Sequence, residues 1–320
     1  MKKVMFLIIS LLIIPSCVFA YSEKIIVGGK TLGIRVDSKG VMVIGFYKVN
    51  GKFNKGSPNM QNGDYIIKVE GNNVNSVDEL TKAIEQNAKN NSVKITFIRN
   101  GIEKNTELKL INVDGIIKTG LFVKSSIMGI GTLSYIDPET KIFGALGHEI
   151  IESTSNSIVE IKSGSIFNNR ITGIEKSKIG SPGSKMAKFD YNQNYGSIFK
   201  NTKYGIFGYY NDTLENFSLA NIGEAKIGSA EIKTVLSDEK VETFNIEITS
   251  VNDSSEVKNI SFKINDDRLL ELTGGVVQGM SGSPILQDGN IVGVLTHVIV
   301  DNPYTGYGLY IRKMLEEGEK

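Results

Sequence analysis

Short apolar runs separated by glycine turns are what most restricts the fold open to this chain. Glycine supplies 34 of its 320 residues and proline only 6. Ser92-Val93-Lys94-Ile95-Thr96-Phe97-Ile98 alternates with the period of a half-buried strand. Asn100-Gly101 then makes a tight turn, and residues 106–111 alternate again, which together read as a hairpin. Further strands are expected at Phe207-Gly208-Tyr209-Tyr210, at residues 244–248 and at residues 260–264. Few stretches are periodic enough for helices. One starts at Ser76-Val77-Asp78-Glu79, where Ser76 can cap the N–H of Glu79 and Glu79 can reach back. Val77, Leu80 and Ile84 then share a face. A second is expected near residues 310–315. The fold class is therefore mostly β with minor α.

The first twenty residues are of another kind. Lys2 and Lys3 precede an apolar run from Val4 to Ile14, and Val18-Phe19-Ala20 ends it with residues a signal peptidase accepts. This reads as a secretory signal peptide over 1–20, cleaved after Ala20, with an uncleaved anchor as the alternative. The one cysteine, Cys17, lies inside it, so a mature chain has no disulfide, no thiolate metal site and no thiol nucleophile. No metal or cofactor is expected. Lys+Arg 36 against Asp+Glu 35 leaves the chain near neutral, without the basic face that a nucleic-acid partner needs.

Two textures meet near residues 112–118. Residues 21–29 read as a linker and 30–112 as a small β-rich module. Leu32-Gly33-Ile34 followed by a strand resembles the carboxylate-binding loop of PDZ domains. Ser57-Pro58, then Asn62-Gly63-Asp64-Tyr65-Ile66-Ile67-Lys68-Val69 and Gly71, resembles their bacterial form. The resemblance implies an extended peptide added as a strand, its C-terminus held by backbone N–H groups at Leu32, Gly33 and Ile34.

Residues 113–320 carry the chemistry. Acyl transfer needs a nucleophile, a base, a group that orients the base, and oxyanion donors. Ser281 stands in Gly279-Met280-Ser281-Gly282-Ser283-Pro284, where flanking glycines allow a sharp turn that exposes the hydroxyl. The N–H groups of Gly279 and Ser281 can then face one oxyanion. The motif and the strand–turn–strand after it are similar to those of chymotrypsin-like serine proteases, which implies a double β-barrel. Only two histidines exist, His148 and His297. His148, in Gly144-Ala145-Leu146-Gly147-His148, is the expected general base. His297 is expected in the wall of the substrate pocket. Asp266 and Asp267 precede the serine, and Asp137, Asp190 and Asp212 are possible acids on chemistry alone.

Longer strings narrow this. Gly129-Ile130-Gly131-Thr132-Leu133, Asp137-Pro138-Glu139-Thr140, Gly144 to His148, Ser181-Pro182-Gly183, residues 269–278 running into the serine motif, Thr296-His297-Val298 and Gly306-Tyr307-Gly308 closely resemble the stage IV sporulation protein B peptidases of spore-forming bacteria, the S55 family. The resemblance spans almost the whole chain after residue 20. It implies a triad of His148, Asp266 and Ser281, with Asp267 the other possible acid. It implies an exported signalling endopeptidase, self-cleaving, in the space between the forespore membranes. There it cuts a membrane-anchored regulator and so leads to activation of a late sigma factor. The alternatives are an HtrA-like quality-control protease, whose PDZ domain usually follows the protease, and an inactive PDZ scaffold. Met280 stands where trypsin-like enzymes carry an aspartate that answers a freed N-terminus, so activation by that route is closed.

Overall fold

The computed structural model describes residues 21–54, 60–88, 91–214 and 217–320. The expected leader, with Cys17, and the Ser57-Pro58 match lie outside the described residues.

Residues 21–29 are not a linker: β1 (Lys24–Val27) pairs with strands on both sides and buries Ile25, Ile26 and Val27. The PDZ module follows. It uses β2 (Thr31–Phe46), the ribbon β3 (Lys48–Val49) and β4 (Lys52–Phe53), β5 (Tyr65–Val69) with short β6 (Asn72–Asn73), helix α1 (Val77–Asn87), and the hairpin β7 (Ser92–Arg99) and β8 (Ile102–Lys109). Helix α1 starts as expected on Ser76, whose hydroxyl accepts from Glu79 N. Glu79 reaches back one residue further than a capping box would, to the N–H of Asn75. Leu80 and Ile84 are buried against Val41, Val43, Ile66 and Leu108.

A ribbon of β9 (Ile111–Val113) and β10 (Ile116–Lys118) leads into β11 (Leu121–Ile136). Then come β12 (Ile142–Ala145), the ribbon β13 (Ile151–Glu152) and β14 (Ser157–Ile158), β15 (Ile161–Glu175), β16 (Ser184–Thr202) and β17 (Gly205–Tyr210). The pairings β2–β11–β12–β17–β16–β15 return to β2 and close a six-stranded barrel. After β18 (Leu219–Asn221), a second closed barrel holds β19 (Gly228–Val235), β20 (Val241–Val251), β21 (Ile260–Ile264), β22 (Pro284–Gln287), β23 (Asn290–Ile299) and β24 (Asn302–Tyr310). Helix α2 (Asp267–Thr273) follows β21, and α3 (Ile311–Gly318) ends the chain. Both barrels run in the order first, second, third, sixth, fifth, fourth strand. This is a PDZ domain followed by a chymotrypsin-like double β-barrel.

Strand alternation builds each core. In β20, Phe244, Ile246 and Ile248 point inward and their neighbours outward. Each such side chain contributes about 1.5–3 kcal/mol on burial. Between the barrels, Ile311, Met314 and Leu315 of α3 pack on Tyr135 and Phe207 of the first and on Val294 and Leu309 of the second.

The expected carboxylate loop is corrected. Leu32, Gly33 and Ile34 lie inside β2 as barrel strand, paired on one side with Gly131, Ile130 and Gly129 and on the other with Phe167 and Ile166. Leu32 and Ile34 are core residues. A Cβ on Gly33 would fall 2.2 Å from the Phe167 ring, so the glycine serves packing there. The edge of β2 beyond Gly40 is also taken. Val41 and Met42 pair with β5, while Met42, Val43, Gly45 and Phe46 pair with Lys124, Val123, Phe122 and Leu121 of β11. Leu121 and Val123 face Leu80, Thr81 and Ile84 of α1 across a cavity of about 200 Å³, and Val77 N donates to Ser125 Oγ. The groove between strand and helix where a PDZ ligand strand is added is thus lined by the chain's own strand.

Candidate active site

The turn that carries Ser281 is held from both barrels. Thr132 of β11 donates its N–H to Ser281 O at 2.9 Å and its hydroxyl to Gly279 O at 2.8 Å. Gly282 N donates to Leu295 O of β23 at 2.7 Å. Gln278, just before the turn, bonds with Gly183 and Lys185 at the start of β16. Gly279 and Gly282 have φ of 95° and 93°, a region that only glycine enters freely. A Cβ on Gly282 would also lie 2.2 Å from Thr132 O. Both demands, left-handed backbone and close approach, explain the glycine-rich motif. Among the described residues the N–H groups of Gly279 and Ser281 have no acceptor, and both residues line one cleft. That leaves two donors open to an oxyanion.

His148 enters the same cleft from the other side. It follows β12 through Leu146 and Gly147, whose φ values of 70° and 71° turn the chain out of the barrel wall. A Cβ on Gly147 would sit 2.8 Å from the Thr296 methyl, so the missing side chain lets this turn lie directly against β23. The cleft measures about 510 Å³. Ser281, His148, Glu149, His297, Gly279 and Ile130 are among its walls. Its floor is apolar, with Ile127, Met128, Val276 and Val277. His297 thus stands in the cleft wall.

The resting bonds are specific. Ser281 Oγ donates to Thr296 O at 3.0 Å. His148 Nδ1 meets the carbonyl of Glu149 at 2.8 Å, leaving Nε2 as the basic nitrogen when Nδ1 carries the proton. Burial pushes the His148 imidazole below its usual value, and the Glu149 carbonyl and carboxylate oppose this only in part. His297 is also pushed down, to about 4, by burial first and then by His148 and Lys258. Both rings are therefore neutral at pH 7.

Asp266 does not orient His148. It is the N-cap of α2: Oδ1 accepts from Leu269 N and Oδ2 from Asn245 N. Its spacing before the serine fits a triad acid, but the same spacing fits a helix start, and the backbone takes both oxygens. Asp267 is exposed in the first turn of α2. Asp137 holds the N–H and hydroxyl of Ser22 and the N–H groups of Glu139 and Thr140. Asp190 caps Asn192 on the surface, and Asp212 caps Thr213 beside another cavity. None of the five lines the cleft.

Three residues have roles that sequence reasoning missed. Thr132 ties the serine turn to the first barrel, and Thr296 offers the carbonyl that holds the hydroxyl. Both lie in family-like strings, but a threonine inside an apolar run carries no sign of what it will face. The third is Lys185, whose amine is buried between the Thr234 and Thr31 hydroxyls at 2.8 and 3.5 Å. Burial lowers it to about 7. Its stem packs behind Gly279, 3.0 Å from where a Cβ would stand. Nothing in the sequence around it signals burial. Among the described residues no group of three or more metal-ligating side chains occurs.

A PDZ domain model matches residues 31–110. No curated protein matches the chain. Among solved structures, the inactive form of the Rv3671c protease superposes with a TM-score of 0.34 at 13% identity, covering 58% of this chain and 80% of that one. The active form of the Rv3671c protease from M. tuberculosis gives a TM-score of 0.33 at 14% identity, covering 58% and 71%. The model of the SpoIVB peptidase S55 family matches residues 115–315, most of the chain, with the second barrel, every strand of the first except β2, and both Ser281 and His148. The chain belongs to the SpoIVB peptidase S55 family and is a serine endopeptidase.

Proposed function

We propose that this peptidase is an exported sporulation-signalling enzyme in which Ser281 is the nucleophile and His148 the general base. The observation that carries the catalytic part is one cleft, closed between two barrels, that holds Ser281, His148 and two unpaired N–H groups. In the first step Ser281 Oγ leaves Thr296 O, turns to His148 Nε2 and attacks the scissile carbonyl carbon. Its proton passes to His148. The carbonyl oxygen becomes an oxyanion held by Gly279 N–H and Ser281 N–H. The C–N bond breaks, and the leaving amine takes the proton from His148. Water, deprotonated by His148, then hydrolyses the ester and restores the serine.

The sporulation role rests on family membership and on the leader-like residues 1–20. The substrate class is a protein, with a membrane-anchored regulator at the forespore membranes as the proposed target and self-cleavage as a side reaction. The apolar cleft floor suits an extended peptide with apolar side chains. The test compares purified residues 21–320 as wild type and Ser281→Ala, followed for self-cleavage and for labelling by a serine-directed phosphonate. Labelling of wild type alone supports the assignment, and equal labelling of both sinks it. For location, expression with and without residues 1–20 should move the protein between the exported and retained fractions. Export without them would refute the leader.

A further inference from the structure

Among the described residues no carboxylate orients the His148 ring, as its task calls for. As His148 takes the serine proton it becomes an imidazolium, and its second N–H then needs an acceptor that holds the ring and shares the charge. Asp266 is bound to the backbone N–H groups of Leu269 and Asn245. Glu149, the carboxylate of the cleft wall, is the chain neighbour of His148 and offers its main-chain carbonyl instead.

His297 presents the complementary deficit. Its Nδ1 is buried and, among the described residues, has no hydrogen-bond partner, a state that costs free energy until an acceptor or donor meets it. Its ring centroid lies 5.3 Å from that of His148, with the planes tilted by 42°. Two imidazole nitrogens aimed at each other across that gap meet at hydrogen-bond distance, about 3 Å. At rest both catalytic groups are held on main-chain carbonyls, Ser281 on Thr296 and His148 on Glu149. A turn of the His148 ring toward the serine strips Nδ1–H of its acceptor. The nearest ring nitrogen without a partner is the one on His297.

We propose that His297 is the positioning partner of His148, its Nδ1 accepting the His148 Nδ1–H in the productive state where a carboxylate does so in an aspartate triad. This rests on the assignment of His148 as base. The acceptor must be the neutral tautomer protonated on Nε2. The charged and titratable groups around the pair fit that need. Lys258 lies on one side, with its amine over the ring of Tyr307, the cross-strand partner of His297. Lys258 and His148 oppose protonation of His297, and Glu149 favours it more weakly. The resting state, with each group held on a carbonyl, is then a low-activity conformer that substrate binding converts.

The experiment uses three substitutions of His297, with His148→Ala and Ser281→Ala beside them, in the chain of residues 21–320, read by the second-order rate of phosphonate labelling across pH. Asparagine places an amide oxygen near the position of Nδ1, whereas leucine fills the space without an acceptor. His297→Asn should stay within about fivefold of wild type and His297→Leu should fall roughly 10²-fold. His297→Asp should move the acid limb of the profile to higher pH, because a carboxylate favours the imidazolium of His148. Equal rates for the leucine and asparagine variants, high or low, would overturn the proposal. Should the leucine variant fail to fold, ¹⁵N spectra of the phosphonate adduct of the wild type decide. The proposal requires a doubly protonated His148 and a neutral His297 whose Nδ1 accepts a hydrogen bond, and a free Nδ1 there overturns it. Loss in His148→Ala and Ser281→Ala but not in His297→Leu would refute the partnership and leave the base in place. Undiminished labelling of His148→Ala would refute the base itself.

Discussion

The two barrels share one strand order and differ in what they are tied to. The second is closed on itself: β19 to β24 pair in a ring, and it supplies Ser281, Thr296 and His297. The first shares its strands. β2 and β11, sixteen residues each, run from the PDZ groove through the barrel, and β11 reaches the cleft at Ile127 to Ile130. The histidine side of the site is therefore mechanically continuous with the PDZ module, and the serine side is not. A disturbance of the PDZ groove reaches His148 and the cleft wall first. The serine turn feels it at second hand, through Thr132 of β11 and through the bonds of Gln278 with Gly183 and Lys185.

The largest effects test the division of labour. Ser281→Ala in one barrel and His148→Ala in the other should each lower phosphonate labelling by about 10⁴-fold or more, because each removes half of one proton-transfer unit. A variant that kept a tenth of the activity would break the pairing. Next in size, Gly282→Ala forces a Cβ onto Thr132 O and should cost more than the 1–3 kcal/mol of the left-handed backbone alone. Gly289→Ala, at φ 77° with open space around it, should cost only the backbone part. Equal shifts in Tm for the two would remove the steric argument.

Leu80→Ala in α1 tests the continuity itself. It should destabilise by about 2–4 kcal/mol. Hydrogen exchange should quicken along all of β2 and β11, into the first barrel, while β19 to β24 stay protected. Loosening that stopped before residue 126 would show that the shared strands do not couple the modules.

A smaller effect is set by pH. His297 has a folded value near 4, below its ordinary value of about 6.5. The unfolded chain therefore gains this proton first as pH falls, so stability drops from about pH 6.5 toward 4. His297→Asn should remove part of that slope in urea midpoints measured across this window, and an unchanged slope would place its origin elsewhere. The base must be neutral to work, so labelling should rise with pH through a midpoint below about 6.5. Smallest of all for labelling, Asp266→Asn should leave the rate nearly unchanged, at a modest cost in Tm, since asparagine keeps an oxygen for Leu269 N as a cap but sets its NH2 against Asn245 N. An aspartate that oriented the base would lose about 10⁴-fold on the same change.

Much of the site was legible because it is local. Gly279, Ser281 and Gly282 satisfy a turn that needs left-handed backbone within four residues, and so the motif carries its own explanation. The strands at 207–210, 244–248 and 260–264, the hairpin after Ser92 and the helix capped by Ser76 follow from periodicity and capping in the same way. Leu32-Gly33-Ile34 is ambiguous in the sequence for the opposite reason. Its pattern of apolar residues about a glycine suits a PDZ loop and a barrel strand alike, and the choice is made by Ile130 and Phe167, far away in the chain.

The amino-acid sequence by itself determined the β-rich class and the serine turn, because each depends on neighbours a few residues away, and its two histidines narrowed the partner of Ser281 to His148 or His297. The tertiary structure alone decided who accepts from whom. It placed Asp266 on a helix N-terminus, lined the PDZ groove with Leu121 to Lys124, and brought His297 beside His148. A hydrogen bond or a ring contact needs two groups within a few ångströms, and for these pairs the spacing along the chain carries no such distance. Closure of the barrels sets it.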